Sequence, residues 1–128
     1  MQPSLLVVED DETIRETVRD ALELEGFAVV ACGNGRDALQ ILQRAPEGEG
    51  FSLVVLDLML PGDDGLTLLR RLRDGGDDLP VVMLTAFAQP EFVARAVEAG
   101  AIAYVVKPFT PDSLSQRINE TLTRAKAA

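Results

Sequence analysis

The chain is organised around the stretch Leu53-Val-Val-Leu-Asp57-Leu-Met-Leu-Pro61-Gly-Asp-Asp-Gly65. Four apolar residues lead into one acid, Asp57, and a turn-forming Pro-Gly-Asp-Asp-Gly segment follows shortly after it. A continuous apolar run of this kind is typical of a strand that is covered on both faces. An ionised carboxylate at the end of such a strand is costly unless a neighbouring group interacts with its charge. Asp57 is therefore the first candidate functional residue.

Short apolar segments alternate with helical patterns along the whole chain. The predicted strands are residues 5–8, 27–31, 51–56, 80–84 and 101–106. The first predicted helix follows an acidic run and ends near Gly26, and the second begins after a Gly-Asn-Gly turn at 33–35. The third and fourth cover 66–73 and 90–99, and the fifth starts at Thr110-Pro111, a hydroxyl N-cap followed by proline at the first helical position.

The helical segments carry apolar residues at the spacing of one helix face. The residues predicted to face the core are Ile14, Val18, Leu22, Ala38, Ile41, Leu42, Ala45, Leu68, Leu69, Leu72, Val93, Ala96, Val97, Leu114, Ile118 and Leu122. Strands and helices in strict alternation predict an α/β fold with a parallel sheet and right-handed crossovers. Five strands favour a doubly wound (βα)5 flavodoxin-like sandwich in the order 2-1-3-4-5. Such a sheet binds ligands beyond the carboxyl ends of strands one and three.

Composition narrows the function classes. The 128 residues suit one domain, and no apolar run reaches the roughly 18 residues of a membrane span. Residues 1–4 lead straight into a strand, so we expect no signal peptide. We therefore expect a cytoplasmic protein without a membrane partner. The net charge of −9 argues against direct nucleic-acid binding. Without histidine, Ser-His or Cys-His catalysis and His-ligated metals are excluded. Cys32, the only cysteine, is expected to pack as a small apolar residue.

Charged and hydroxyl side chains follow four of the predicted strands. They are Glu9 and Asp10 after the first, Asp57 after the third, Thr85 after the fourth and Lys107 after the fifth. Three carboxylates at one sheet edge would repel one another, by on the order of 4 kcal/mol per pair at ~4 Å and an effective dielectric of ~20. One lysine cannot neutralise them, whereas Mg²⁺ prefers such oxygen ligands. We therefore predict a Mg²⁺ site, with Mn²⁺ as a near substitute.

A cation, a lysine and a hydroxyl around a carboxylate are what phosphoryl transfer to that carboxylate requires. Its transition state spreads charge over three oxygens, so catalysis is mainly positioning and electrostatics. On this interpretation Asp57 is the nucleophile, the cation meets one phosphoryl oxygen, Lys107 a second and Thr85 the third. Ala86 is small and would leave room for the phosphoryl group. Each of these residues alone has an ordinary structural explanation, such as a helix start or a solvated charge. Their joint placement at four strand ends favours the functional one.

At this point the chain resembles the response-regulator receiver domains of the CheY-like family, over essentially its whole length. The segments that carry the resemblance are Val-Val-Glu9-Asp10-Asp, Asp57-Leu-Met-Leu-Pro61-Gly-Asp-Asp-Gly65, Thr85-Ala86, Tyr104 and Lys107-Pro108-Phe109.

The resemblance implies a role for each matching residue. It implies that Asp57 accepts the phosphoryl group, that Asp10, Asp57 and the backbone carbonyl of Met59 ligate Mg²⁺, and that Glu9 acts through a metal-bound water. It further implies that Thr85, Ala86 and Lys107 bind the phosphoryl group, that Thr85 and Tyr104 form a coupled switch pair, and that the Lys107-Pro108 peptide is cis.

The same resemblance implies partners and a mode of action. The donor would be the phosphohistidine of a sensor histidine kinase or phosphotransfer protein, and the reader a downstream effector domain or protein. Phosphorylation would change the surface of helix four, strand five and helix five, where Arg117 resembles an arginine used in homodimer contacts. Such a domain promotes its own phosphorylation and dephosphorylation and is not a turnover enzyme. We expect residues 1–128 to be one receiver domain, with no effector domain in this chain.

Two alternatives remain open. One is a pseudo-receiver that binds partners without being phosphorylated, although its usual mark is loss of the acceptor or of the acid pair. The other is a phosphatase with an aspartyl-phosphate intermediate, which would carry a second Asp where this chain has Met59. Met59 and Phe87 instead suggest an apolar shield that slows hydrolysis of the phosphorylated form.

Overall fold

The computed structural model describes residues 3–44, 50–57, 65–75, 79–85 and 90–127. In these ranges strands and helices alternate along the chain. The strands are β1 (Ser4–Val8), β2 (Ala28–Cys32), β3 (Leu53–Asp57), β4 (Val81–Thr85) and β5 (Ala103–Val106). The helices are α1 (Glu12–Leu24), α2 (Gly35–Arg44), α3 (Gly65–Asp74), α4 (Pro90–Glu98) and α5 (Pro111–Ala127).

The strands form one parallel sheet in the order β2-β1-β3-β4-β5, which confirms the predicted fold class. The strand order reverses between β1 and β3. The last residue of β1, Val8, is paired with Leu56 of β3, and Asp57 is paired with Leu84 of β4. The ends of β1, β3 and β4 are therefore level with one another at one edge of the sheet.

Each face of the sheet has its own core. On one face, alternate strand residues pack against Ala38 of α2, Leu68 of α3 and Ala96 of α4. On the other, the intervening strand residues pack against Val18 of α1 and Ile118 of α5. Side chains along a strand point alternately to opposite faces, so a strand buried on both faces needs continuous apolar sequence. This explains the unbroken apolar runs of β1, β3 and β4, whose apolar residues from 5 onwards are at most 1% exposed.

Local signals in the sequence account for several helix starts. At α5, the Thr110 hydroxyl accepts from the Ser113 N–H and the Ser113 hydroxyl accepts from the Thr110 N–H, so the predicted N-cap is confirmed. At α1, the Asp11 carboxylate accepts from the Ile14 N–H, which satisfies one of the free donors of the first turn. Cys32 is buried, as expected, and burial raises the pKa of its thiol to about 11. It is therefore an apolar packing residue with an unreactive thiol.

Three details differ from the sequence prediction. Asp57 and Thr85 are the last residues of β3 and β4, not the residues that follow them, so the backbone of each is held by the sheet. Val97 was predicted to face the core and this is wrong, since it is 59% exposed. Ala96 points into the core, and because consecutive residues of a helix are about 100° apart around its axis, Val97 points away from it. Ala45 lies outside the described residues. In the part of the chain that the structure describes, no helix has the length and apolar character needed to span a membrane.

Candidate functional site

The candidate site lies at the carboxyl ends of β1, β3, β4 and β5. Glu9 follows β1 directly, Asp57 and Thr85 end their strands, and Lys107 follows β5. The Lys107 N–H donates to the Thr85 carbonyl at 2.7 Å, which ties the end of β5 to the end of β4. Four segments distant in sequence thus place one charged or hydroxyl group each at the same sheet edge, as the strand-end rule predicts.

Lys107 connects the carboxylates at this edge. Its Nζ donates to Asp57 Oδ2 at 2.8 Å and to the two carboxylate oxygens of Glu9 at 3.1 and 3.3 Å. The Asp57 and Glu9 side chains are 4% and 1% exposed, whereas that of Lys107 is 19% exposed. The ammonium therefore closes the site on one side while its acceptors lie below the surface. Burial acts to lower the pKa of Lys107, but Asp57 and Glu9 together outweigh it, so that pKa is raised.

Glu9 is the most deeply buried acid of the site. Its Oε1 accepts from the Asp11 N–H at 3.3 Å as well as from Lys107. Burial, followed by the proximity of Asp57, raises its pKa from 4.5 to about 7, although Lys107 acts in the opposite direction. A single lysine thus leaves the pair of acids under-compensated, in agreement with the repulsion inferred from the sequence.

The third acid completes a site that suits a divalent cation. Asp10 is exposed, and carboxylate oxygens of Glu9, Asp10 and Asp57 all lie within 4.8 Å of one another. All three donors are hard oxygens, and a bound cation would offset the repulsion from Asp57 that contributes, after burial, to the raised pKa of Glu9. An exposed acid on the outer side leaves an entry path and space for water, which Mg²⁺ retains in most protein sites. The residues present therefore fit Mg²⁺.

The other predicted site residues divide into three groups. Thr85 is buried at the end of β4, one residue after Leu84, the residue paired with Asp57, and the Lys107-Pro108 peptide bond is cis. Tyr104 lies on β5 and is 40% exposed. It borders an open hollow of about 340 Å³ together with Ser113 and Arg117. Met59, Ala86 and Phe87 lie outside the described residues, so their predicted roles stay predictions.

Two contacts of the site were missed by reading the sequence. The direct ion pair between Glu9 and Lys107 was not foreseen, because Glu9 was assigned only a role through metal-bound water. Arg15 Nη1 donates to the main-chain carbonyl of Glu9 at 3.0 Å. The sequence signals Arg15 only as one of several charges on α1, and a side-chain contact to a backbone carbonyl leaves no periodic pattern.

Comparison with known protein families gives a match over nearly the whole chain. Residues 5–119 match the family described as the response regulator receiver domain. The chain belongs to this family. A receiver domain was the resemblance inferred from the strand-end motifs, and it is confirmed.

Individual relatives agree with this assignment. The chain is 45% identical over 123 residues to the transcriptional regulatory protein CseB of Streptomyces coelicolor, covering 96% of this chain and 50% of CseB. It is 44% identical over 126 residues to protein PetR of Rhodobacter capsulatus, covering 98% of this chain and 51% of PetR. The Francisella response regulator 1452 receiver domain superposes with a TM-score of 0.89 at 29% identity, over 97% of this chain and 99% of that one. The chain spans about half the length of the curated relatives it matches.

Proposed function

We propose that this receiver domain is a phosphoryl-accepting switch in which Asp57 takes a phosphoryl group from a phosphohistidine of a sensor histidine kinase or phosphotransfer protein. The observation that carries the proposal is the ion pair between Lys107 Nζ and Asp57 Oδ2, at 2.8 Å, inside a cluster of three carboxylates at the strand ends. The 128 residues contain no histidine, so the donor imidazole lies outside them.

In the proposed step a carboxylate oxygen of Asp57 attacks phosphorus while the bond from phosphorus to the donor imidazole nitrogen breaks. The electron pair of that bond returns to the imidazole, which takes up a proton, and the product is a mixed anhydride on Asp57. The backbone of Asp57 is part of β3, so the nucleophile is held by the sheet and little reorganisation is needed.

Lys107 and Thr85 are proposed to bind the oxygens of the transferred group. The ammonium already contacts Asp57 Oδ2, so it is placed beside any group that this oxygen acquires. Thr85 ends the adjacent strand and would supply a hydroxyl donor. The ammonium is positioned before the reaction, an arrangement that stabilises developing charge effectively, whereas the Thr85 hydroxyl would be drawn to the transferred group.

The metal ligands in this proposal are Asp10, Asp57 and the Met59 backbone carbonyl, with Glu9 acting through water. When bound, Mg²⁺ would neutralise the carboxylates and the negative charge of the incoming phosphoryl group. Glu9, which is buried and already paired with Lys107, would hold the lysine in place beside Asp57.

The output surface is proposed to be α4, β5 and α5. Exposed apolar side chains support this: Val97 on α4 is 59% exposed, Ile102 in the turn between α4 and β5 is 41% exposed, and Tyr104 on β5 is 40% exposed. Phosphorylation would draw Thr85 and Lys107 towards the new charge, and Tyr104 would then turn inward. The modified surface would be read by an effector domain or protein in the cytoplasm, or by a second copy of the domain through contacts that include Arg117. One relative is named a transcriptional regulatory protein, which favours transcription as the output.

A phosphate-affinity gel tests the proposal. The purified protein is incubated with acetyl phosphate, with and without MgCl2, and compared with Asp57→Ala and Asp57→Asn. We expect a retarded band for the wild type that requires Mg²⁺ and is absent from both variants. An unshifted wild type would favour the pseudo-receiver alternative. Release of phosphate over many turnovers without a retarded band would favour the phosphatase.

A further inference from the structure

We propose that Arg15 is a positioning residue for the cation site, acting through the main chain of Glu9. This inference rests on the proposed function, because it concerns the same carboxylates. Arg15 is the fourth residue of α1 and contacts the carbonyl of Glu9, which directly precedes Asp10. A donor that fixes this peptide unit fixes the point from which both acidic side chains leave the backbone.

Glu9 is held at both of its main-chain groups. Its N–H donates to the Cys32 carbonyl at the end of β2, at 3.0 Å, and its carbonyl accepts from Arg15 Nη1, also at 3.0 Å. Glu9 lies one residue beyond the end of β1. Within the sheet, a backbone N–H of a neighbouring strand would donate to such a carbonyl, and here the side chain of Arg15 donates to it instead. At equal length, a hydrogen bond from a charged donor is stronger than one between neutral groups. The Arg15 contact therefore extends the restraint of the sheet to the first acidic residue.

Gly33 provides the space that the guanidinium occupies. A Cβ at this position would lie 2.9 Å from Arg15 Nη1 and 3.9 Å from the Glu9 carbonyl oxygen. Gly26 and Gly100 are the glycines with positive φ in the described part of the chain, so Gly33 is not needed for its backbone conformation. The end of a flexible side chain can move away, so alanine at 33 should be accepted by the fold. It would displace the guanidinium while leaving its charge and every carboxylate in the chain.

The sign of the effect separates positioning from simple electrostatics. A positive charge near a cation site opposes Mg²⁺ binding, so loss of the Arg15 charge would by itself strengthen binding. A positioning role predicts the opposite, because disordered ligands bind a metal less tightly. Residues that orient metal ligands typically change metal affinity by about 10–100-fold when removed.

The experiment is a calorimetric titration of MgCl2 into the wild type, Arg15→Met, Gly33→Ala and the double variant, well below their melting temperatures. We expect the Mg²⁺ dissociation constant to rise roughly tenfold in each single variant, at the lower end of that range. The double variant should be no weaker than Arg15→Met, because both changes remove the same contact. Arg19→Met is the control, since it removes a charge from α1 that is paired with Glu23 at 3.4 Å.

The outcomes are distinct. Unchanged or tighter Mg²⁺ binding in both single variants would overturn the positioning role and leave the proposed function intact. A lower melting temperature without a changed dissociation constant would also overturn it, because that result indicates a purely structural role. Absence of Mg²⁺ binding by the wild type would overturn the proposed function together with this inference.

Discussion

Glu9 and Lys107 are 98 positions apart in the sequence and form a direct ion pair, in which Lys107 Nζ donates to both carboxylate oxygens of Glu9. The Glu9 side chain is 1% exposed. A buried carboxylate of this kind either keeps a counter-charge or takes up a proton. Because Asp57 shares the same lysine, the site stores electrostatic repulsion that a divalent cation would relieve.

Without a divalent cation, the free energy of unfolding should fall as the pH rises from about 4.5 to about 7. The pKa of Glu9 is raised from 4.5 to about 7 in the fold, so the folded state binds more protons than the unfolded state in this window. The total effect is on the order of 3 kcal/mol. Urea unfolding in EDTA at several pH values measures it, with Glu9→Gln as the reference. Parallel pH profiles of the wild type and Glu9→Gln would contradict the prediction.

Lys107→Met should lower stability in a pH-dependent way. At pH 8 the variant leaves Glu9 and Asp57 without their shared counter-charge, and we expect a loss of about 2–3 kcal/mol, below the usual cost of breaking a fully buried pair because Lys107 is partly exposed. At pH 5 the loss should be smaller, since Glu9 is then protonated in the fold. Lys126→Met, which changes the only other lysine, is the control. Equal losses at both pH values would count against the shared-lysine arrangement.

Asp10→Asn should separate the repulsion within the acid cluster, which destabilises the metal-free protein, from the binding of Mg²⁺ by the cluster. Asp10 is exposed, so removal of its charge should raise the melting temperature of the metal-free protein only slightly. The increase in melting temperature that MgCl2 produces in the wild type should disappear, because a ligand that no longer binds cannot stabilise the fold. Melting curves followed by circular dichroism test both parts. Retained stabilisation by MgCl2 would remove Asp10 from the ligand set.

Gly100→Ala should destabilise the fold by about 2–3 kcal/mol. Gly100 has φ +107°, which is strained for any residue with a Cβ, and a Cβ there would lie 2.6 Å from Arg73 Nε. The displaced arginine would also weaken its 2.8 Å hydrogen bond to the Gly100 carbonyl. Gly26→Ala is the matched control, since its φ is +96° with open space around it, and should cost about 1 kcal/mol. Urea unfolding measures both variants, and equal losses in the free energy of unfolding would show that the clash with Arg73 contributes nothing.

The strand ends were the part of the site that sequence could predict. Apolar runs mark the strands, their alternation with helices indicates a parallel sheet, and five strands favour the doubly wound order 2-1-3-4-5. In such a sheet the strand ends bring Asp57, Thr85 and Lys107 to one edge. The prediction failed where neighbouring apolar residues compete for one helix face. On α4 both Ala96 and Val97 are apolar, and only the packing of a short helix against the sheet determines that Ala96 points inward.

Contacts that depend on side-chain reach were not predictable in the same way. The pairing of Glu9 with Lys107 depends on a glutamate side chain long enough to reach across the sheet edge. Several acids lie at that edge, so the sequence alone does not determine which of them Lys107 contacts. The contact of Arg15 with the Glu9 carbonyl depends on the empty space above Gly33. Neither leaves a periodic signal, because each joins single positions from different elements.

The central claim is that Asp57 itself accepts the phosphoryl group. Borohydride reduction of the acetyl phosphate-treated protein converts an aspartyl phosphate to homoserine, and peptide mass spectrometry locates the converted residue. We predict homoserine at position 57 when MgCl2 is present, and none when the protein is treated in EDTA or carries Lys107→Met. Homoserine at Asp10 or at another acid, or an unmodified position 57 in the fully treated wild type, would contradict the claim.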